Sequence, residues 1–190
     1  MSTPKTFLMA SLAVLATLVT CCAAPKVDFG KIQRPDQPSE LKVYDVFVGH
    51  WDFKAELINA EGQDREWSGS ANWQWTLDDR FLHGAMSAKS ARAGFDAAGV
   101  WGWDSSKKTY VWWMFNDWGY VQNGPARYDA AKKEWTMNYV GTGLDGTTSY
   151  GCYRITVVDH DNIDWHMQEW ADVFHGVTKM EMQGSYKRQK

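Results

Sequence analysis

Apolar and polar residues alternate along most of the chain after residue 50. Between residues 66 and 77, every odd position is apolar or small and every even position is polar, and shorter runs of the same kind occur at 51–57, 134–139 and 179–186. Alternation with a period of two is typical of strands that have one dry and one wet face. The pattern predicts about ten strands, near residues 51–58, 66–77, 80–89, 98–103, 109–116, 119–128, 134–141, 147–158, 162–171 and 176–187.

The connections between these strands are short and rich in Asp, Asn, Gly and Lys. Two of them form a weak internal repeat, because an aromatic residue, an Asp and a Lys pair recur with identical spacing in residues 103–110 and 128–135. An Asp that opens a turn accepts hydrogen bonds from its own backbone, and the flanking aromatic residues can pair across the two strands. The repeat therefore predicts the same hairpin used twice.

A short helix is predicted before the first strand. Ser39 is suited to the N-cap position, and Leu41, Tyr44, Phe47 and Val48 can share one face. A short helix followed by ten short antiparallel strands predicts an all-β domain over residues 39–190, built as an up-and-down barrel. Barrel closure leaves no exposed sheet edge at which chains could aggregate.

The first 24 residues have the pattern of a secretory signal peptide. Met1–Lys5 carries one positive charge, and Thr6–Ala24 contains no charged residue. The segment also resembles a bacterial lipoprotein signal, in which Cys21 or Cys22 would be lipidated; cleavage after Ala23 or Ala24 and an uncleaved anchor are the alternatives. We therefore expect an exported periplasmic or envelope protein, attached to a membrane only through an N-terminal lipid. Residues 25–38, with three prolines, are predicted to be a linker.

Composition narrows the classes of function. The 190 residues are 44% hydrophobic with a net charge of −3, which argues against a disordered chain and against nucleic-acid binding, because no basic cluster is available for phosphate. The unusual number is twelve tryptophans. Large aromatic residues in this number predict either an aromatic ligand cavity or an interior that the side chains fill completely.

The sequence resembles known barrel families at several motifs. Gly49-x-Trp51 after a short helix resembles the start of the lipocalin-like calycin barrels, which implies that Trp51 closes the barrel and that Arg188 packs on its indole ring. The chain is also similar to the bacterial domain of unknown function 1579 family. That similarity rests on Gly49-x-Trp51 and on residues 77–82, 102–111, 128–132 and 180–188, with Asp79 where the family usually has Gly. It implies a lipocalin-like barrel that is commonly exported, and no established activity.

The predicted ligand site lies inside the barrel. Small residues alternate with tryptophans on the dry faces, which favours a cavity for a small apolar or aromatic ligand. The candidate wall residues are Trp73, Trp75, Met86, Trp112, Tyr139 and Trp165. Arg80 shares the dry face of its strand, and a buried Arg must be paired. It is a candidate polar anchor for the ligand, Glu169 is its candidate internal partner, and a solvated position near the barrel mouth is the third alternative.

Other chemistry has little support in the sequence. No pair of histidines has zinc-site spacing, so no metal, no cofactor and no catalytic residue is predicted. Three alternatives remain open: haem bound through His166 or His175, an isomerase that uses Glu169 with Arg80, and a filled barrel whose outer face binds an envelope protein. Trp113, Trp118 and Trp170 would carry that last contact. Cys152 is expected to be a small buried hydrophobic residue.

Overall fold

The computed structural model describes residues 28–59, 65–142 and 146–190, and the chain divides into residues 1–36 and 37–190. The predicted signal peptide, including Cys21 and Cys22, lies outside the described residues. In the first unit, Phe29–Lys31 form one 3₁₀ turn, and Lys31 pairs with Asp28 at 3.3 Å.

The second unit is a closed antiparallel barrel of ten strands, as the alternation predicts. Each strand pairs with its neighbours in the chain, and β10 closes the sheet on β1. The strands are β1 (Gly49–Leu57), β2 (Glu66–Thr76), β3 (Phe81–Lys89), β4 (Gly94–Asp104), β5 (Thr109–Asn116), β6 (Val121–Asp129), β7 (Glu134–Thr142), β8 (Thr148–Val157), β9 (Asn162–Trp170) and β10 (Thr178–Arg188).

A 3₁₀ helix, Ser39–Phe47, precedes β1 and buries Leu41, Tyr44 and Phe47. Their spacing of three matches the three residues per turn of a 3₁₀ helix, which places all three on one face. The predicted cap is wrong. Pro38 occupies the N-cap position without a side-chain hydrogen bond, and the Ser39 hydroxyl lies 3.4 Å from the Glu40 carboxylate.

The largest boundary difference is at β4, which begins at Gly94 rather than at residue 98. Phe95 and Ala97 face inward while Asp96 and Ala98 face water, so the segment has the alternation of a strand. The abundance of small residues makes it resemble a loop. The connection between β3 and β4 is therefore only Ser90–Ala93.

The two repeated hairpins have the predicted structure. Asp104 Oδ1 accepts backbone N–H bonds from Ser106 and Lys107, and Asp129 Oδ1 accepts equivalent bonds two and three residues on. The flanking aromatic rings meet across the strands with centroids 4.8 Å apart in both hairpins. Both turns belong to the same end of the barrel.

The two ends of the barrel differ in what covers them. The 3₁₀ helix and the turns after β2, β4, β6 and β8 lie at one end, here called the helix end. The connections after β1, β3, β5, β7 and β9 lie at the opposite end, here called the far end. Each candidate site residue lies towards one or the other of these two ends.

Candidate functional site

Aromatic side chains fill the barrel at the helix end. The Tyr44 ring stacks on Trp135 at 4.6 Å with an interplanar angle of 9°, and Phe47 meets Trp101 edge-on at 4.9 Å. Trp51 is 1% exposed, and its Nε1 donates to the Phe47 carbonyl at 2.7 Å. The packing seals this end.

Arg188 completes the seal, as the resemblance to lipocalin-like barrels implies. Its guanidinium lies 4.2 Å from the centre of the Trp51 ring. Nη1 and Nη2 donate to the carbonyls of Val48 and Val46 at 2.5 and 2.7 Å. One cation therefore joins β10 to the last turn of the helix and to its connection with β1.

Above this packing the interior contains a cavity of about 270 Å³. An apolar cavity of about 150 Å³ holds one benzene molecule, so this one has room for roughly two fused rings. Its walls are mainly aromatic rings, among them Trp67, Trp73, Phe95, Trp101, Trp112 and Trp165. The barrel is thus filled at the helix end and hollow beyond it.

Methionine supplies much of the remaining wall. All six methionines in the described part of the chain line the cavity: Met86, Met114, Met137, Met167, Met180 and Met182. Methionine is flexible and polarizable, and it is common at surfaces that accept ligands of different shape. The wall can therefore adapt to its contents more readily than a wall of branched side chains.

Four of the predicted wall residues line the cavity: Trp73, Met86, Trp112 and Trp165. Trp75 lies at the helix end instead, where its Nε1 donates to Asp45 Oδ1 at 2.9 Å. Gly84 makes room for Trp73, because a Cβ at that position would lie 2.2 Å from the indole ring. The small residue in this part of β3 therefore accommodates a ring rather than widening the cavity.

The predicted pairing of Arg80 with Glu169 is wrong. Arg80 lies in the turn before β3, at the helix end, whereas Glu169 lies near the end of β9, at the far end. The alternation of β3 does not extend back to Arg80, because it follows a turn in which Leu77, Asp78 and Asp79 have positive φ. Arg80 is half-buried there, away from the cavity.

Glu169 is instead held by two tyrosines. The carboxylate is 3% exposed and accepts hydrogen bonds on Oε2 from the hydroxyls of Tyr120 and Tyr139, the latter at 3.0 Å. Burial raises the pKa of Glu169 to about 7, against the opposing charge of Lys179. Tyr139 is therefore a support of Glu169 rather than a wall residue. Gly151 provides the space for its ring, since a Cβ there would meet it at 2.0 Å.

Further polar side chains are buried beside this carboxylate. The Gln122 amide oxygen lies 3.5 Å from the Tyr153 hydroxyl, and Ser149 is fully buried in the same row of the sheet, across Gly141. Burial raises the pKa of Tyr139, and the adjacent Gln122 amide opposes the shift. We call the group Tyr120, Gln122, Tyr139, Ser149, Tyr153 and Glu169 the far-end polar cluster.

Sequence reasoning missed Tyr120 and Gln122, although both line the cavity. The signal was available in the alternation of β6. Gln122 has the same parity as Gly124, Ala126 and Tyr128, which places a polar side chain on the dry face. A polar residue at such a position indicates an internal hydrogen-bonding site.

The alternative sites have different surroundings. His166 lies on the outer face with Nε2 2.9 Å from Glu181 Oε1, and His175 stacks on Trp170 at 3.9 Å, so neither candidate haem ligand lines the cavity. Within residues 28–59, 65–142 and 146–190, no group of three His, Cys, Asp or Glu could hold a metal ion. Burial raises the pKa of the Cys152 thiol, which disfavours the reactive thiolate.

The outer surface carries several exposed apolar side chains. Trp113 and Trp118 are 38% and 46% exposed, and Phe174, in the β9–β10 connection, is 90% exposed. Trp170 is half-buried under His175. Among the described residues no helix is both long and apolar enough to span a bilayer.

The chain is similar to several solved structures. The crystal structure of Rv2717c from M. tuberculosis is 13% identical, with 82% of this chain and all of that chain covered and a TM-score of 0.58. The S-type phycobiliprotein lyase CPES from Guillardia theta is 11% identical over 80% of this chain and 94% of that one, with a TM-score of 0.48. A fluorescence-activating β-barrel designed de novo is 14% identical over 77% of this chain and 97% of that one, with a TM-score of 0.43.

The fold and the Rv2717c comparison define the class of the structure: a closed antiparallel β-barrel of ten strands. No family model and no curated protein matches the chain. The similarity to the domain of unknown function 1579 family stays a prediction from its sequence motifs.

Proposed function

We propose that the protein binds a small apolar or aromatic compound of one or two rings inside the barrel. The observation that carries this proposal is the cavity of about 270 Å³ between the packed helix end and the far end. A chain that needed only stability would gain from filling such a space, because empty volume in a core costs about 24 cal/mol for each Å³.

The walls match such a ligand chemically. Tryptophan, phenylalanine and methionine side chains dominate them, and aromatic rings gain energy from offset or edge-on contact with another ring. A few buried polar groups stand at one side, which is the usual composition of a site for an organic ligand. The geometry therefore supports binding of such a ligand.

Naphthalene is a suitable first probe, because its two fused rings match the volume. We expect saturable binding by calorimetry or by the change in tryptophan fluorescence. Ala97→Phe, which adds a ring to the cavity wall, should abolish the signal. Ala85→Phe, on the outward face of β3, is the matched control and should bind as the natural protein does. Equal binding by both variants would contradict the proposal.

The natural ligand requires protein purified from its own host. Native mass spectrometry should show an additional mass that is lost on denaturation. A bare protein mass, together with no naphthalene binding, would overturn the proposal. Trp113, exposed on the outer face, and the partly exposed Trp118 in the β5–β6 connection would then be the better candidate site, for an envelope protein.

We also propose that the protein is exported and anchored by a lipid on Cys21 or Cys22. The uncharged segment before these residues supports this proposal. Labelled palmitate should be incorporated into the natural chain, and one of Cys21→Ala and Cys22→Ala should lose both the label and the membrane association. A labelled double variant would contradict lipidation at this site.

A further inference from the structure

We infer that the far-end polar cluster binds a hydroxyl group of the ligand, so that the ligand class is a one- or two-ring alcohol or phenol. This inference rests on the proposed function and adds to it the chemistry of the ligand's polar group. It stands on three polar atoms of buried side chains that the protein's own hydrogen bonds leave over.

The first of these atoms is on Glu169. Both tyrosine hydroxyls donate to Oε2, and no described residue provides a hydrogen-bond donor to Oε1. A carboxylate has room for about four hydrogen bonds over its two oxygens. The residue is 3% exposed, so water at the surface offers little compensation. Oε1 therefore has unused accepting capacity.

The second and third atoms are Gln122 Nε2 and Ser149 Oγ. Both are buried, and neither has a hydrogen-bond partner of suitable geometry among the described residues. Gln122 is 1% exposed and Ser149 is 0% exposed. Buried polar groups of native proteins are nearly always hydrogen-bonded, so two buried unmatched atoms in one cluster need an explanation.

Half of the cluster lines the cavity. Tyr120, Gln122 and Tyr153 belong to the cavity wall, and Glu169 lies behind it in hydrogen-bond contact with Tyr120. Most of the remaining wall is apolar or aromatic. A ligand in the cavity therefore meets hydrogen-bonding groups on one side, which fixes its orientation.

The unmatched atoms select among possible polar groups of a ligand. An ammonium group only donates, so it would satisfy Glu169 and leave the Gln122 amide without an acceptor. A carboxylate only accepts, and it would be repelled by the Glu169 carboxylate. A hydroxyl both donates and accepts, so one such group can donate to Glu169 Oε1 and accept from Gln122 Nε2.

Three probes with the same ring system test this assignment by calorimetry on the purified protein at pH 8. Naphthalene has no polar group, 2-methoxynaphthalene can only accept, and 2-naphthol can donate and accept. We expect 2-naphthol to bind about ten- to a hundredfold more tightly than naphthalene, because its hydrogen bond is to a charged acceptor. The methoxy compound should bind within about threefold of naphthalene.

Two variants locate the effect. Glu169→Gln and Gln122→Leu should each reduce the ratio of 2-naphthol affinity to naphthalene affinity at least fivefold, each ratio being measured within one variant. A cooperative urea unfolding transition is the check that each variant is folded. Tyr110→Phe is the matched control, because it removes a tyrosine hydroxyl that donates to the Glu40 carbonyl at the helix end. It should leave all three affinities unchanged.

The outcomes separate the two proposals. If naphthalene binds and 2-naphthol gains nothing, or if its gain persists in both cluster variants, the hydroxyl assignment is overturned and the binding function stands. Preference for 2-methoxynaphthalene would also overturn it. If no probe binds, the proposed function fails, and the hydroxyl assignment fails with it.

Discussion

The two ends of this barrel use the same residue types for opposite purposes. At the helix end, Tyr44, Trp135 and Phe47 pack with ring separations of 4.6 to 6.5 Å and leave no space. Towards the far end, aromatic rings surround a cavity of about 270 Å³, and buried polar groups lie beside it. Aromatic content alone does not distinguish a core from a binding site.

What differs between the ends is the element that fills the middle. The 3₁₀ helix inserts Leu41, Tyr44 and Phe47 between the sheet walls of the helix end. No corresponding helix is present among the described residues of the far end, where short connections join the strands. The helix therefore fills one end of the barrel and leaves a cavity towards the other, and the following variants test this separation.

The largest effect is expected from Tyr44→Ala at the helix end. The ring is 1% exposed and stacks on Trp135. Removing a large buried aromatic side chain costs about 3–5 kcal/mol, because contacts are lost and a cavity remains. Unfolding in urea should show this loss. Naphthalene affinity should change less than threefold in protein that is still folded; a large loss of affinity would show that the two ends are coupled.

A somewhat smaller effect is expected from Arg188→Met. Methionine keeps part of the apolar contact with Trp51 but loses the hydrogen bonds to Val46 and Val48. We expect a destabilisation of about 2–4 kcal/mol, since hydrogen bonds of charged groups are the stronger ones. Arg188→Lys should restore little of it, because an ammonium cannot serve two carbonyls in the planar geometry of guanidinium. Full rescue by lysine would contradict the proposed geometry.

The fold could be predicted from the sequence because alternation is a local property. Alternation together with the turn clusters predicts all ten strands, and the shared apolar face of Leu41, Tyr44, Phe47 and Val48 predicts the helix. The failures are local as well. The parity of Arg80 matches the dry face of β3, although the left-handed backbone of the preceding residues ends the alternation. An odd or even position indicates which face of the sheet a side chain occupies only as long as the strand continues.

The site could be predicted only in part, because its position along the barrel axis is not local. Parity places Trp73 and Trp75 on the same face, but it does not show that Trp75 lies beneath the helix and Trp73 in the cavity wall. The partner of Glu169 also depends on which strand ends meet. Counting the up and down directions of the strands would have excluded Arg80 as the partner of Glu169, because the two residues lie at opposite ends of the barrel.

A third prediction concerns Glu169 and the pH dependence of stability. The pKa in the folded protein, about 7, is above the ordinary value of 4.5, so folding favours the protonated acid. Between pH 4.5 and pH 7 the folded state binds more protons than the unfolded state, and stability falls as pH rises through this window. The loss is complete above pH 7 and amounts to about 1–3 kcal/mol.

Urea unfolding at pH 5 and pH 8 measures this contribution. The natural protein should lose more stability between these values than Glu169→Gln, which has no proton to release. Glu181→Gln, on the outer face beside His166, is the matched acid-to-amide control and should retain the loss. Identical pH profiles for the natural protein and Glu169→Gln would show that the buried carboxylate has no raised pKa.

The smallest effect on stability is expected from Trp118→Ala, at the connection between β5 and β6. Trp118 lines the cavity, is 46% exposed, and meets Phe95 edge-on at 5.9 Å. Its loss should cost less than about 1 kcal/mol, because nearly half of the side chain is already in water. Ligand exchange should respond more strongly, since the ring stands where the cavity wall reaches solvent.

Stopped-flow measurement of naphthalene binding separates these effects. Trp118→Ala should raise the association and dissociation rate constants together by about three- to tenfold, with little change in Kd, because a gate alters the barrier and not the bound state. Trp113→Ala is the matched control, since this tryptophan is 38% exposed but lies outside the cavity wall. Equal acceleration by Trp113→Ala would mean that the rates report general loosening of the barrel. The far end would then have no defined entrance at Trp118.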